Sequence, residues 1–167
     1  YHVDSPEELS MINYTSGTTG FSKGVMIPYR ALKSNIDFAR KVHPQLNNTS
    51  NVVSMLPTAH MYGMMFEFLF EMCVGAQVHF LTRVPSPKII MEAFAEIKPD
   101  IIIAVPLIIE KIYKKKLQPI INKTAIRVLL RLPVVDQKIQ KKILAELVNT
   151  FGGKFKEIIV GGAPFNK

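Results

Sequence analysis

The 167-residue sequence predicts an α/β fold, a largely parallel sheet flanked by helices. Three observations carry that prediction. Apolar runs of strand type alternate with amphipathic helical stretches over short connections, the pattern of parallel α/β sheets. One run, Ile101-Ile102-Ile103-Ala104-Val105, is continuously apolar, as in a strand buried on both faces. Two glycine-bearing segments, 56–63 and 161–164, directly follow predicted strands, where the ligands of such sheets gather.

Each element has a local reason. Leu9-Ser10-Met11-Ile12-Asn13-Tyr14 reads as a strand and Gly24-Val25-Met26-Ile27 as another, with a hairpin-like loop between them. Pro28 opens a helix whose apolar positions Ala31, Leu32, Ile36, Ala39 and Val42 recur at three- and four-residue steps. That helix ends before Pro44, and a polar loop covers 45–51. A short strand at 52–56 stops at Pro57. Residues 61–73 are apolar on most sides, interrupted by Glu67 and Glu71, and predict a buried helix ended by Gly75. Residues 77–81 form the next strand. Ser86-Pro87 starts a helix with Ile90, Phe94 and Ile97 on one face. After the 101–105 strand, 107–116 is helical, with a further helical stretch to Leu132 that Pro133 breaks. Ile139, Ile143, Leu144, Leu147 and Val148 mark a last amphipathic helix before Gly152-Gly153, and 157–160 is the final strand.

Composition narrows the classes. A 48% hydrophobic content is ordinary for a globular domain. The single cysteine, Cys73, excludes an intrachain disulfide, sits in an apolar run as a core residue, and fits a reducing cytoplasm. Neither apolar stretch reaches the ~20 residues that span a bilayer, so the expectation is a soluble protein. The net charge of +8 falls largely on helical stretches, as at Lys111, Lys114, Lys115 and Lys116. Solvated helix faces account for it, and no zinc-finger or RNA-binding motif points to nucleic acid.

The most informative stretch is Tyr14-Thr15-Ser16-Gly17-Thr18-Thr19-Gly20-Phe21-Ser22-Lys23-Gly24. Its glycines let backbone approach a ligand, successive amides can form an anion nest, and Ser/Thr hydroxyls with Lys23 add donors and positive charge. A polyphosphate is the natural guest. The Walker loop is excluded, because its second glycine position holds Ser22 and Gly24 follows the lysine. The order Y-T-S-G-T-T-G-x-x-K-G resembles the phosphate-binding signature of the adenylate-forming superfamily, with Ser22 where most members carry proline. The resemblance implies ATP as ligand, held through Thr15, Ser16, Gly17, Thr18, Thr19, Gly20 and Lys23, with Lys23 also catalytic.

Leu56-Pro57-Thr58-Ala59-His60-Met61-Tyr62-Gly63 is similar to the next signature of that superfamily, and implies that His60 is catalytic, beside the reacting carboxylate and phosphate. His2, His43 and His79 show no metal-ligand spacing and read as structural. Gly161-Gly162-Ala163-Pro164 resembles the segment that faces adenine and the acyl chain, where small residues let a flat ligand lie against backbone. Val105-Pro106-Leu107-Ile108-Ile109-Glu110-Lys111-Ile112-Tyr113 is similar to a segment of long-chain fatty acyl-CoA synthetases, with Glu110 and Lys111 an ordinary exposed pair.

The resemblance implies that residues 1–167 are an internal piece of an AMP-binding N-terminal domain, without the C-terminal domain, and inactive in isolation. The signature whose glutamate binds Mg²⁺ falls outside it, so no metal ligand is assigned here. The implied whole enzyme is a cytoplasmic fatty acid–CoA ligase using ATP, Mg²⁺ and coenzyme A, with room for peripheral membrane contact. Two other readings stay open: a superfamily enzyme activating a different acid, and a basic module binding nucleic acid or acidic membrane without catalysis. The latter would bind with a steep salt dependence centred on Lys114, Lys115 and Lys116 rather than Lys23.

Overall fold

A computed structural model describes residues 5–16, 20–122 and 137–164. The chain divides into two compact units, Tyr1–Thr49 with Leu56–Val78, and Ser50–Met55 with His79–Lys167.

The first unit opens with the expected hairpin. Strands β1 (Leu9–Thr15) and β2 (Lys23–Pro28) pair antiparallel, with Ile12 opposite Met26 and Thr15 opposite Lys23. They form a two-stranded sheet of their own. Helix α1 (Tyr29–Val42) follows without a break, since β2 runs through Pro28 and leaves it as the helix N-cap. Of its apolar stripe only Ala39 is fully buried, and Val42 is exposed. The expected buried helix of 61–73 is a composite: α2 (Met61–Gly63), a π-helical segment (Met64–Leu69) and α3 (Phe70–Val74), ended at Gly75 with φ 79. Alpha-helix α1 packs on it, with His43 and Phe70 rings 6.2 Å apart and the Arg40 guanidinium donating to the Cys73 carbonyl. Cys73 itself is exposed, which corrects its assignment to the core. The last turn of a helix apolar on most sides still turns one face to solvent.

The strands β4 (Gln77–Phe80, whose His79 and Phe80 belong to the second unit), β3 (Asn51–Ser54), β5 (Ile101–Ala104) and β6 (Glu157–Val160) lie in that order in a four-stranded sheet. β5 is parallel to both β3 and β6. The order reverses between β3 and β5, a topological switch point. Ile101, Ile102 and Ile103 are at most 2% exposed, as the continuous apolar run required. Burying each such side chain contributes about 1.5–3 kcal/mol.

Helix α4 (Pro87–Ile97) is capped as the sequence predicts, the Ser86 hydroxyl accepting from the Ile89 amide at 3.3 Å. Its Phe94 stands 6.3 Å from Phe151. Helix α5 (Pro106–Ile112) continues through a π-helical segment (Tyr113–Leu117) into α6 (Gln118–Ile121), with Lys114, Lys115 and Lys116 exposed. The expected helical stretch to Leu132, and the break at Pro133, lie outside the described residues beyond residue 122. Helix α7 (Gln137–Thr150) is present, but Leu144, expected on its apolar face, is 60% exposed.

One buried acid organises the sheet's entry edge. Asp100, just before β5, accepts from the Asn51 amide at 2.9 Å and pairs with Lys154 at 3.0 Å. Its backbone N–H donates to Asn51 and its carbonyl accepts from Lys156, so the starts of β3, β5 and β6 meet at one residue. His79 Nε2 contacts Asn51 Oδ1 at 2.9 Å. No helix among the described residues is long and apolar enough to cross a membrane.

Candidate functional site

The expected phosphate loop, residues 14–24, connects the two strands of the first unit's hairpin. Its strands stop at Thr15 and Lys23, where the Thr15 hydroxyl makes a long contact, 3.5 Å, to the Lys23 carbonyl. Thr15, Ser16, Gly20 and Lys23 are all exposed. Gly20 has φ 85 with nothing within 4 Å of where a Cβ would stand, so the turn needs glycine for its backbone rather than for space. Gly17, Thr18 and Thr19 lie outside the described residues. The donors that are described suit a polyanion: hydroxyls, turn amides and one lysine, with no carboxylate among residues 14–24.

The second motif leaves the carboxyl end of β3 and carries His60 to the start of α2. His60 is exposed and occupies the N-cap position, but its imidazole makes no capping hydrogen bond there. The loop's backbone is tightly tied. The His60 amide donates to the Pro57 carbonyl at 3.0 Å, and the Met64 amide donates to the His60 carbonyl at 2.9 Å. A Cβ on Gly63 would stand 2.8 Å from the Pro57 carbonyl oxygen, so only glycine lets this helix start seat against the loop. That gives the glycine of the L-P-x-x-H-x-x-G pattern a steric role.

Two further side chains hold the same loop, and sequence reasoning passed over both. The Asn13 amide group, on the strand that enters the phosphate loop, donates to the Ala59 carbonyl at 3.1 Å. The β1–β2 hairpin and the His60 loop are therefore joined within the first unit. From the other side, the Glu67 carboxylate accepts from the Leu56 amide at 2.8 Å. Glu67 and Glu71, which break the apolar run in the sequence, are both 0% exposed. Two acids four residues apart inside an apolar helix were the available signal.

Neither oxygen of Glu71 has a hydrogen-bond partner. Burial, and next the Glu67 charge, push its carboxyl up to about 8. The same two causes raise the Tyr62 hydroxyl to about 12, so it stays neutral beside the Phe66 ring at 5.5 Å.

The third motif belongs to the second unit. Gly161 directly follows β6, and its amide donates to the Ala104 carbonyl at the end of β5 at 3.1 Å. Gly162, Ala163 and Pro164 are exposed. Among the described residues no group of three His, Cys, Asp or Glu could hold a metal ion.

A parallel α/β sheet with a switch point, whose strands run out into glycine-bearing loops, defines a ligand-binding α/β domain. Residues 2–167 match the family model described as AMP-binding enzyme, and the chain belongs to that adenylate-forming family. Long chain acyl-CoA synthetase 5 of Arabidopsis thaliana is 32% identical over 118 residues, 66% of this chain and 17% of that protein. The 4-coumarate–CoA ligase 4 of Arabidopsis thaliana is 30% identical over 131 residues, 75% of this chain and 22% of that protein. A malonyl-CoA ligase, solved as a ternary product complex with methylmalonyl-CoA and AMP bound, superimposes with a TM-score of 0.70 at 21% identity, covering 99% of this chain and 30% of that one. The chain thus spans 17% and 22% of the two curated relatives' lengths.

Proposed function

We propose that the whole protein is an AMP-forming acyl-CoA synthetase acting on long-chain fatty acids, and that residues 1–167 supply part of its AMP-binding domain. The observation that carries this reading is the Asn13–Ala59 hydrogen bond, which makes one frame of the lysine-bearing hairpin and the histidine loop. A fatty-acid carboxylate oxygen attacks the α-phosphorus of ATP, the bond to the β-phosphate oxygen breaks, and pyrophosphate leaves. Thr15, Ser16, Gly17, Thr18, Thr19, Gly20 and Lys23 hold the β- and γ-phosphates and offset the charge that grows on the leaving group. His60 orients the carboxylate against the α-phosphate, a positioning effect. Gly161, Gly162, Ala163 and Pro164 offer backbone to adenine and acyl chain. The thiol of coenzyme A then attacks the acyl carbonyl, AMP departs, and the thiol proton passes to solvent. Mg²⁺, when bound, would neutralise phosphate charge.

Long-chain acids are preferred as substrates because the 105–113 segment is similar to that class and a long-chain synthetase is among the relatives. The relative named as a coumarate ligase makes an aromatic acid the second reading. ATP–pyrophosphate exchange by the intact protein, with palmitate, coumarate and malonate as alternative acids, decides between them. Exchange driven by palmitate and lost in Lys23→Ala supports the proposal. Exchange driven only by another acid replaces the substrate, and no exchange with any acid ends the ligase reading.

A further inference from the structure

Glu67 is an expensive residue in its place. Taking a carboxylate out of water costs several kcal/mol, which the amide hydrogen bond from Leu56 at 2.8 Å helps to offset. Methionine, phenylalanine and leucine surround it in the sequence, so an apolar side chain would suit the helix itself better. The contact explains where the acid is spent. Pro57 has no N–H, so the Leu56 amide is the last backbone donor between β3 and Thr58. Leu56 is buried while Pro57, Thr58, Ala59 and His60 are exposed, so this amide sits where the loop leaves the core.

Glu67 reaches it from the π-helical segment Met64–Leu69, whose wider turn gives its side chains a register an α-helix would not. The same helix meets the loop again at Gly63 under the Pro57 carbonyl. Glu71, one turn on and held protonated by burial at neutral pH, places no second negative charge beside it.

We propose that Glu67 is a positioning residue for His60: it fixes the root of the 57–60 loop through the Leu56 amide, and so sets where the imidazole stands during adenylation. This inference rests on the ligase reading for its kinetic part and on geometry alone for the rest.

The test uses the intact protein with Glu67→Gln, which keeps an acceptor, and Glu67→Met, which does not. Glu67→Met should lower kcat for palmitate-dependent ATP–pyrophosphate exchange roughly ten- to a hundredfold, with KM for ATP within about threefold. Glu67→Gln should keep kcat within about threefold of wild type. Urea unfolding should show Glu67→Met within about 3 kcal/mol of wild type, relief of the buried carboxylate being set against the Leu56 amide left without its acceptor. A slower enzyme that is still fully folded at the assay temperature separates positioning from folding. Unchanged kcat in Glu67→Met, or a fall that tracks lost stability, overturns the proposal.

If wild type shows no exchange, the ligase reading fails separately and NMR decides the geometry. The Leu56 amide should be protected from hydrogen exchange in wild type and Glu67→Gln but not in Glu67→Met, and the His60 imidazole resonances should shift only in Glu67→Met. His60 resonances that stay put in Glu67→Met overturn the proposal even then.

Discussion

Asn13 on β1 donates through its side-chain amide to the carbonyl of Ala59 at 3.1 Å, across 46 residues of sequence. One end of that bond lies just before Tyr14 and Thr15 of the proposed phosphate loop, and the other lies next to His60. Two signatures that are separate in the sequence therefore share a frame.

Replacing Asn13 by leucine tests that coupling. The bond is in an exposed setting, so stability in urea should change by no more than about 1 kcal/mol. Exchange activity of the intact protein should nonetheless drop about tenfold in kcat/KM, because a small displacement between reacting groups is costly. Wild-type activity in Asn13→Leu would mean that the hairpin and the histidine loop hold their places by other contacts.

Glu71 predicts an unusual pH dependence. Its carboxyl is raised from 4.5 to about 8 by burial and by Glu67. Between those values the folded chain holds a proton that the unfolded chain has released, so stability falls as pH rises through this window and levels off above it. Urea unfolding from pH 5 to 9 should show a decline of roughly 2–4 kcal/mol from this group. Glu71→Met should remove most of the slope and be more stable than wild type at pH 8.

Gly63→Ala puts a Cβ 2.8 Å from a backbone oxygen, where no flexible side chain can yield. The helix start must move away from the loop, at about 1–3 kcal/mol by overpacking. Thermal unfolding should register that loss, and hydrogen exchange should show it concentrated in the His60 and Met64 amides, which close the turn.

Asp100→Ala removes the acceptor shared by the Asn51 amide and Lys154. Asp100 is 5% exposed but Lys154 is 48% exposed, so solvent takes up part of the lost pairing. Equilibrium unfolding should show a loss of about 2–3 kcal/mol, most of it from the orphaned amide. Asp100→Asn, which keeps an oxygen for the amide, should lose less.

Much of this architecture was legible because it is local. The hairpin, the α4 cap at Ser86 and the buried 101–104 strand follow from propensity, capping and periodicity acting over a few residues. The phosphate-loop expectation could be formed from sequence because the residues that carry it are eleven consecutive ones, 14–24. Cys73 and Leu144 were misjudged for a related reason. Periodicity says which residues share a face, while the packing partner decides how far round the helix burial extends.

The sequence by itself determined the order of strands and helices, the membership of the hairpin loop, and the loop character of the His60 and Gly161 segments. Only the tertiary structure decided that Glu67 and Glu71 are buried, that Glu67 grips the Leu56 amide, and that Asn13 reaches Ala59. Each of those facts depends on the relative register of two packed elements. No local rule carries that register, because it is set by the burial and hydrogen bonding of residues far apart in the chain.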